Sequence, residues 1–286
     1  MVLQQATFVL MWKKDLTKSS KLLCCPIVAE STILINKPLV EAIFEFRWKI
    51  PEVDGHKIDP DYSFLIGQLY NKCKKKYPER ETLPAAQVPI EMLPYAPQYR
   101  FRTGKNQWPL IQLGHGILTY NSTSEYSWEQ NFKPNSIEAF QNFIEDHPQE
   151  NSLKLDELKL KYINAIPISP KDNVMSFLKE KLNTQIILPK DISESSDLEI
   201  NNNAIDLTIT VPVKNDFGQI QQRLATGMKI NSKVLIIELT LVSKAVSNLF
   251  TNKSAFEEWL VKAHSIIEHH FFSLLSDDLL KEFKDE

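Results

Sequence analysis

The sequence predicts an α+β protein: mostly antiparallel sheet, as one sheet or two similar ones, with helices packed on one face and a β-α-βββ-α order that occurs twice. Three observations carry this expectation. Several segments alternate apolar and polar residues with a period of two, as half-buried strands do. Turn-forming residues separate these segments at short intervals, which makes the strands a meander. Helical patterns are few, and no glycine-rich turn follows the first strand, which argues against a doubly wound dinucleotide fold.

The first strand is PLVEAIFEFRW, where Ala42, Phe44, Phe46 and Trp48 alternate with Glu41, Ile43, Glu45 and Arg47. Pro51 and the Asp54-Gly55 pair end it. Leu65, Ile66, Leu69 and Cys73 then recur at helical spacing, with Asp59 or Asp61 placed to cap that helix. Pro84, Pro89, Pro94 and Pro97 punctuate a long connection. Three short strands follow, from Tyr99, Trp108 and Gly116, joined by turns at Thr103–Asn106 and at Gly114-His115-Gly116. A helix starts near Pro134, presents Ile137, Phe140, Phe143 and Ile144 on one side, and stops before His147-Pro148.

The order then begins again. Leu153 to Ile166 is the longest alternating segment, and a helix covers about Asn173 to Leu182. After the polar stretch DISESSDLEINNN come three strands, AIDLTITVPV, GQIQQRLA and KVLIIELTLV, and a last helix from about Ser254 to Leu275. Residues 33–286 therefore read as a single α+β domain, with two similar halves at about 33–150 and 151–286. Residues 1–32 read as an N-terminal extension, poorly ordered or loosely docked. The apolar run ATFVLMW within it is far shorter than the roughly 20 residues of a membrane span. Lys13 and Lys14 follow that run, the wrong order for a secretory signal.

Composition narrows the function classes. A net charge of -3 gives no general attraction to nucleic acid or to anionic lipid. Lys72, Lys74, Lys75 and Lys76 form a local basic cluster, read as solvated cations that complement a helix C-terminus. Cys24, Cys25 and Cys73 make no CxxC pair, and scattered thiols of this kind suit a reducing, cytoplasmic setting. No G-x-S-x-G elbow, Walker loop or EF-hand is present.

HSIIEHH concentrates three of the six histidines beside Glu268. At about 100° per residue, however, the three imidazoles diverge around one helix. His264 and Glu268 share the boundary of its apolar face, His269 points to solvent and His270 falls among the apolar residues. No metal and no cofactor is expected, and no catalytic residue is assigned. The polar and aromatic residues left over are Arg47, Trp48, Gln112, Asn121, Trp128, Asn164, His264 and Glu268. They fit either a set of buried groups satisfying backbone at strand ends or a sheet–helix groove that holds a ligand or partner.

PLVEAIFEFRW, WPLIQLGHGILTYN, the aromatic trio Tyr126, Trp128 and Phe132, LKYINAI, and the Trp259–His264 spacing in the last helix together resemble a family of sporadically distributed bacterial proteins of unknown function. The resemblance covers most of the chain from about Ile33 onward. It implies a fold and little chemistry, and it suggests a role tied to mobile elements or bacterial defence. EEWL departs from the Trp-Leu-Asp arrangement of that pattern, although Trp259 is in place. The leading functional expectation is a non-enzymatic interaction or regulatory module with an unknown protein partner or small ligand; a homodimer is allowed, and neither membrane nor general nucleic-acid binding is expected. The alternatives are a small-molecule or nucleotide sensor and a metal-dependent enzyme centred on His264 and Glu268.

Overall fold

A computed structural model describes residues 34–53, 55–123, 125–147, 153–187, 204–244 and 253–284. The expectations for residues 1–32 and for the polar stretch 191–203 lie outside them. One nine-stranded, fully antiparallel sheet runs through the molecule. Its strands are β1 (Leu39–Trp48), β4 (Glu79–Thr82), β5 (Pro97–Arg102), β6 (Leu110–Gly114), β7 (Ile117–Ser122), β8 (Leu155–Pro167), β9 (Asp206–Val213), β10 (Gly218–Lys229) and β11 (Ser232–Lys244). The short ribbon β2 (Glu52–Val53) and β3 (His56–Lys57) stands apart. The α-helices among the described residues are α1 (Tyr62–Cys73), α2 (Lys133–Asp146), α3 (Val174–Lys181), α4 (Lys253–Leu274) and α5 (Asp277–Lys284).

The strand order is β4-β5-β6-β7-β1-β8-β11-β10-β9. β1 and β8 therefore sit side by side at the middle. Each opens a run of β, α, three meandering strands and α, and the last strand of each run (β7 or β11) returns to pair with its opening strand. The two runs thus mirror one another across the β1–β8 pair, with β4 as an extra strand at one edge.

Alternation along β1 sets the two faces. Phe44, Phe46 and Trp48 are buried at 0%, 0% and 1% exposure and lie under the helices. Phe44 meets Phe256 of α4 at 5.2 Å between ring centroids, Phe46 meets Phe143 of α2 at 4.8 Å, and Trp48 meets Phe143 at 4.6 Å. All five α-helices send apolar side chains into this one cluster, among them Leu65, Phe140, Leu178, Leu260 and Phe283. Leu110, Ile117, Val234 and Val242 are also buried, yet they fall outside it because their register puts them on the opposite face. The helices among the described residues accordingly occupy one side of the sheet.

Local chemistry explains most boundaries. The Asn173 carboxamide oxygen accepts the N–H groups of Met175 and Ser176 and caps α3. Pro134 fits the first turn of α2, where its missing donor costs nothing. Gly116 takes φ 82° in the β6–β7 turn, where an added Cβ would meet the Ile50 side chain at 2.7 Å. Besides the β2–β3 ribbon, three features go beyond the sequence expectation. β4 has no apolar alternation and joins the sheet through its register with β5. A single π-type turn, Trp128–Phe132, precedes α2 and closes with the Phe132 N–H donating to the Ser127 carbonyl at 2.8 Å. The C-terminal helix is interrupted after Leu274, and Ser276 restarts it as α5 by accepting the Leu279 N–H.

A buried polar knot fastens the end of β1. The Trp48 indole N–H donates to Asp59 at 2.8 Å, and the Asp59 N–H donates to His115 Nε2 at 2.7 Å. Burial pushes the Asp59 carboxyl up, but the His147 imidazole 3.9 Å away and hydrogen bonds from Trp48 and the Asp61 backbone outweigh it and hold the pKa below its ordinary value. Trp48→Phe removes one of these donors together with part of a buried ring. A loss of about 2–3 kcal/mol is expected in urea unfolding; a change within about 0.5 kcal/mol would show that the bond to Asp59 is not part of what holds β1.

Candidate functional site

The residues singled out from sequence divide among three places. Trp48 belongs to the core, in the knot just described. Arg47, the next residue along, points to the opposite face with Gln112 and Asn121. Trp128, His264 and Glu268 meet where the π-type turn, β8 and α4 converge. Asn164 is buried on the helix side of β8, two residues beyond Tyr162.

The convergence point is built on β8. Its alternation places Tyr162 in an otherwise apolar row with Leu158 and Leu160, beneath α4. A buried phenol needs a partner for its hydroxyl, and two are present. The Tyr162 hydroxyl lies 2.9 Å from His264 Nδ1 and 3.0 Å from the Tyr126 hydroxyl. The Trp128 ring lies flat on the His264 imidazole, with centroids 3.8 Å apart and planes 15° from parallel. His264 Nε2 faces Glu268 Oε1 one helical turn away at 3.9 Å.

Electrostatics follow from burial. Loss of solvent drives the His264 pKa down to about 4, with Glu129 pulling it up and Lys133 pushing it down. The ring is therefore neutral near pH 7. Burial also keeps both tyrosines protonated and raises the Glu268 carboxyl above its ordinary value. One arrangement satisfies all of these groups. Tyr126 donates to Tyr162, Tyr162 donates to Nδ1, and the imidazole proton sits on Nε2 facing the carboxylate.

The cluster fastens three elements together. Trp128 covers the imidazole, and the inner end of the relay is buried under α4. Nδ1 is committed to Tyr162, and among the described residues no three His, Cys, Asp or Glu side chains converge as a metal would require. The other two histidines of HSIIEHH point elsewhere: His269 is exposed, while His270 Nε2 lies 2.7 Å from Gln222 Oε1 of β10.

The helix-free face carries a second constellation. From one edge inward, Glu81 pairs with Arg100 and Arg102, and Arg100 donates to Gln112. Gln112 donates to Thr119 and Asn121, and Asn121 donates to Glu41 of β1 at 2.8 Å. Arg47 pairs with Glu45 at 2.7 Å, and Lys159 of β8 bridges Glu45 and Glu157. Beyond the centre, Lys161 pairs with Glu238, which faces Arg223 in register, and Arg223 reaches Asp206 on the far edge strand. A belt of polar side chains thus crosses the sheet from β4 to β9. The basic cluster of α1, by contrast, is largely taken up locally: Lys72 pairs with Glu145, Lys76 with Glu138, and Lys74 donates to Asn71.

Tyr126 and Tyr162 are the members of the first cluster that the sequence reading did not assign to a site. The available signal was a phenol within an apolar row of β8. No protein-family model matches the chain, and no curated protein matches it.

The neutral His264 yields a pH dependence. Between pH 6.5 and about 4 the unfolded chain binds a proton at this ring that the folded chain refuses, so stability present at pH 7 is lost as pH falls. The full loss is on the order of 3 kcal/mol. The raised Glu268 pKa acts in the opposite sense, since the folded state takes up that proton first. Urea midpoints measured at about pH 7 and pH 4.5 should fall more for the wild type than for His264→Gln; equal falls would remove His264 as the responsible group.

Proposed function

We propose that the protein is a non-enzymatic interaction module that meets a protein partner with the helix-free face of its sheet. The observation behind this reading is the polar belt from Glu81 to Asp206, which lies on the side that the described helices leave uncovered. Its groups are held in place before any partner arrives. Side chains of Glu45, Arg47, Lys159 and Lys161 retain 16%, 28%, 19% and 30% of their exposure and are fixed by ion pairs. Preorganised, partly exposed charges favour specificity, because a partner with the wrong charge pattern loses several kcal/mol.

The chemistry favours protein over nucleic acid. Each cation of the belt faces a carboxylate or amide of the same belt, so no excess positive field remains for phosphates. It also favours an interaction module over a small-molecule sensor, because the Trp128 ring already fills the space over His264. No helix among the described residues is long and apolar enough to cross a membrane. The resemblance to sporadically distributed bacterial proteins adds a setting, in mobile elements or defence, in which such a partner would be sought.

A photo-crosslinking residue at Lys161, on the belt, is compared in cells with one at Lys179, exposed on α3. The expected result is a single recurrent protein adduct from position 161 that is missing from position 179. Equal adducts from both positions, or adducts from 179 alone, would contradict a recognition role for this face.

A further inference from the structure

The sheet has two edges of different character. β4 is four residues long and reads Glu-Arg-Glu-Thr, a short charged strand of the kind that discourages edge pairing. β9 is eight residues long and uncharged from Leu207 to Val213, with Thr208, Thr210 and Val211 exposed. Its register shows which backbone groups face β10 and which face away from it, unpaired among the described residues. The Thr226 N–H donates to the Ile205 carbonyl at 2.9 Å, so residues 207, 209, 211 and 213 bond inward to β10, with no shift along the pair. The N–H and C=O groups of Asp206, Thr208 and Thr210 then point outward. So does the nitrogen of Pro212, which has no proton to donate and weakens no bond to β10.

We infer that β9 is a self-association edge at which two copies of this chain join antiparallel around a two-fold axis, making one continuous sheet. A second copy is the occupant because the outward groups, unpaired among the described residues, complement themselves. With Ile209 opposite its own counterpart, Thr208 of one chain lies opposite Thr210 of the other, twice. Leu207 lies opposite Val211 on the helix side, and each Pro212 accepts from the other chain's Asp206 at the outer ends. About six backbone hydrogen bonds form, and no charge stands opposite a like charge. The axis is perpendicular to the sheet, so the two helix-free faces lie side by side on the same surface, a bivalent array for any partner of that face. The association does not depend on that face having a partner.

Native mass spectrometry at micromolar concentration tests the inference, with circular dichroism confirming the fold of each variant. The wild type should appear at twice the 33.0 kDa chain mass. Thr208→Glu with Thr210→Glu sets like charges opposite one another across the axis and should give monomer. Thr208→Glu with Thr210→Lys sets opposite charges there and should retain the dimer. A monomeric wild type, or a double-glutamate variant that stays dimeric, would overturn the inference. A folded Glu/Lys variant that is monomeric would overturn the assigned register and with it the self-complementary pairing.

Discussion

The structure depends on the antiparallel pairing of β1 with β8 and on the aromatic rings stacked above it. Those two strands open the two β-α-βββ-α runs, and among the described residues their pairing is the one strand contact between the halves of the sheet. Above the junction, Phe140 of α2 and Phe256 of α4 stack at 4.0 Å over Phe44 of β1. Each run therefore contributes a helix to the cover of the same central strand. Burying rings of this size stabilises by about 2–3 kcal/mol each, and here the benefit requires both halves to be in place.

The period of two that commits Ala42, Phe44, Phe46 and Trp48 to the helices commits Glu41, Glu45 and Arg47 to the other face. The same register aligns Lys159 with Glu45, and the β8–β11 register sets Lys161 diagonally across from Glu238. The polar belt is in this sense a product of the core register. A slip of one residue would bury the charges and expose the aromatics together. On the helix side, the Tyr162–His264 bond and the Trp128 stack fasten α4 and the π-type turn to β8, and they hold the cover in position over the central strands.

Much of this was legible in the sequence where a local period carries the information. β1 and β8 alternate, β11 is rich in β-branched and apolar residues, and the helix near Pro134 shows its apolar side. β4 was not legible, because Glu79-Arg80-Glu81-Thr82 has no pattern of its own and is recruited by its neighbour. The pairs that build the candidate site join distant positions. Tyr162 and His264 are 102 residues apart, and Asn121 and Glu41 are 80 apart. Both depend on how helices and strands pack, which spacing does not encode. Arg47 and Trp48 were grouped in one groove, although adjacent residues on a strand must face opposite sides; that separation could have been read from the period alone. The divergence of the three histidines could also be read, because helical geometry settles it within one element.

The account rests on a sheet whose faces differ, with the described helices packed on one and the polar belt crossing the other, and two neighbouring residues of β1 test this most directly. Phe44 faces the helices and Ile43 the belt. Urea unfolding of Phe44→Lys and Ile43→Lys, each against the wild type, reads the difference. The account predicts that the first variant fails to fold or loses more than about 4 kcal/mol, while the second stays within about 1 kcal/mol. Comparable destabilisation by both substitutions would mean that the second face is also closed, and would contradict the account.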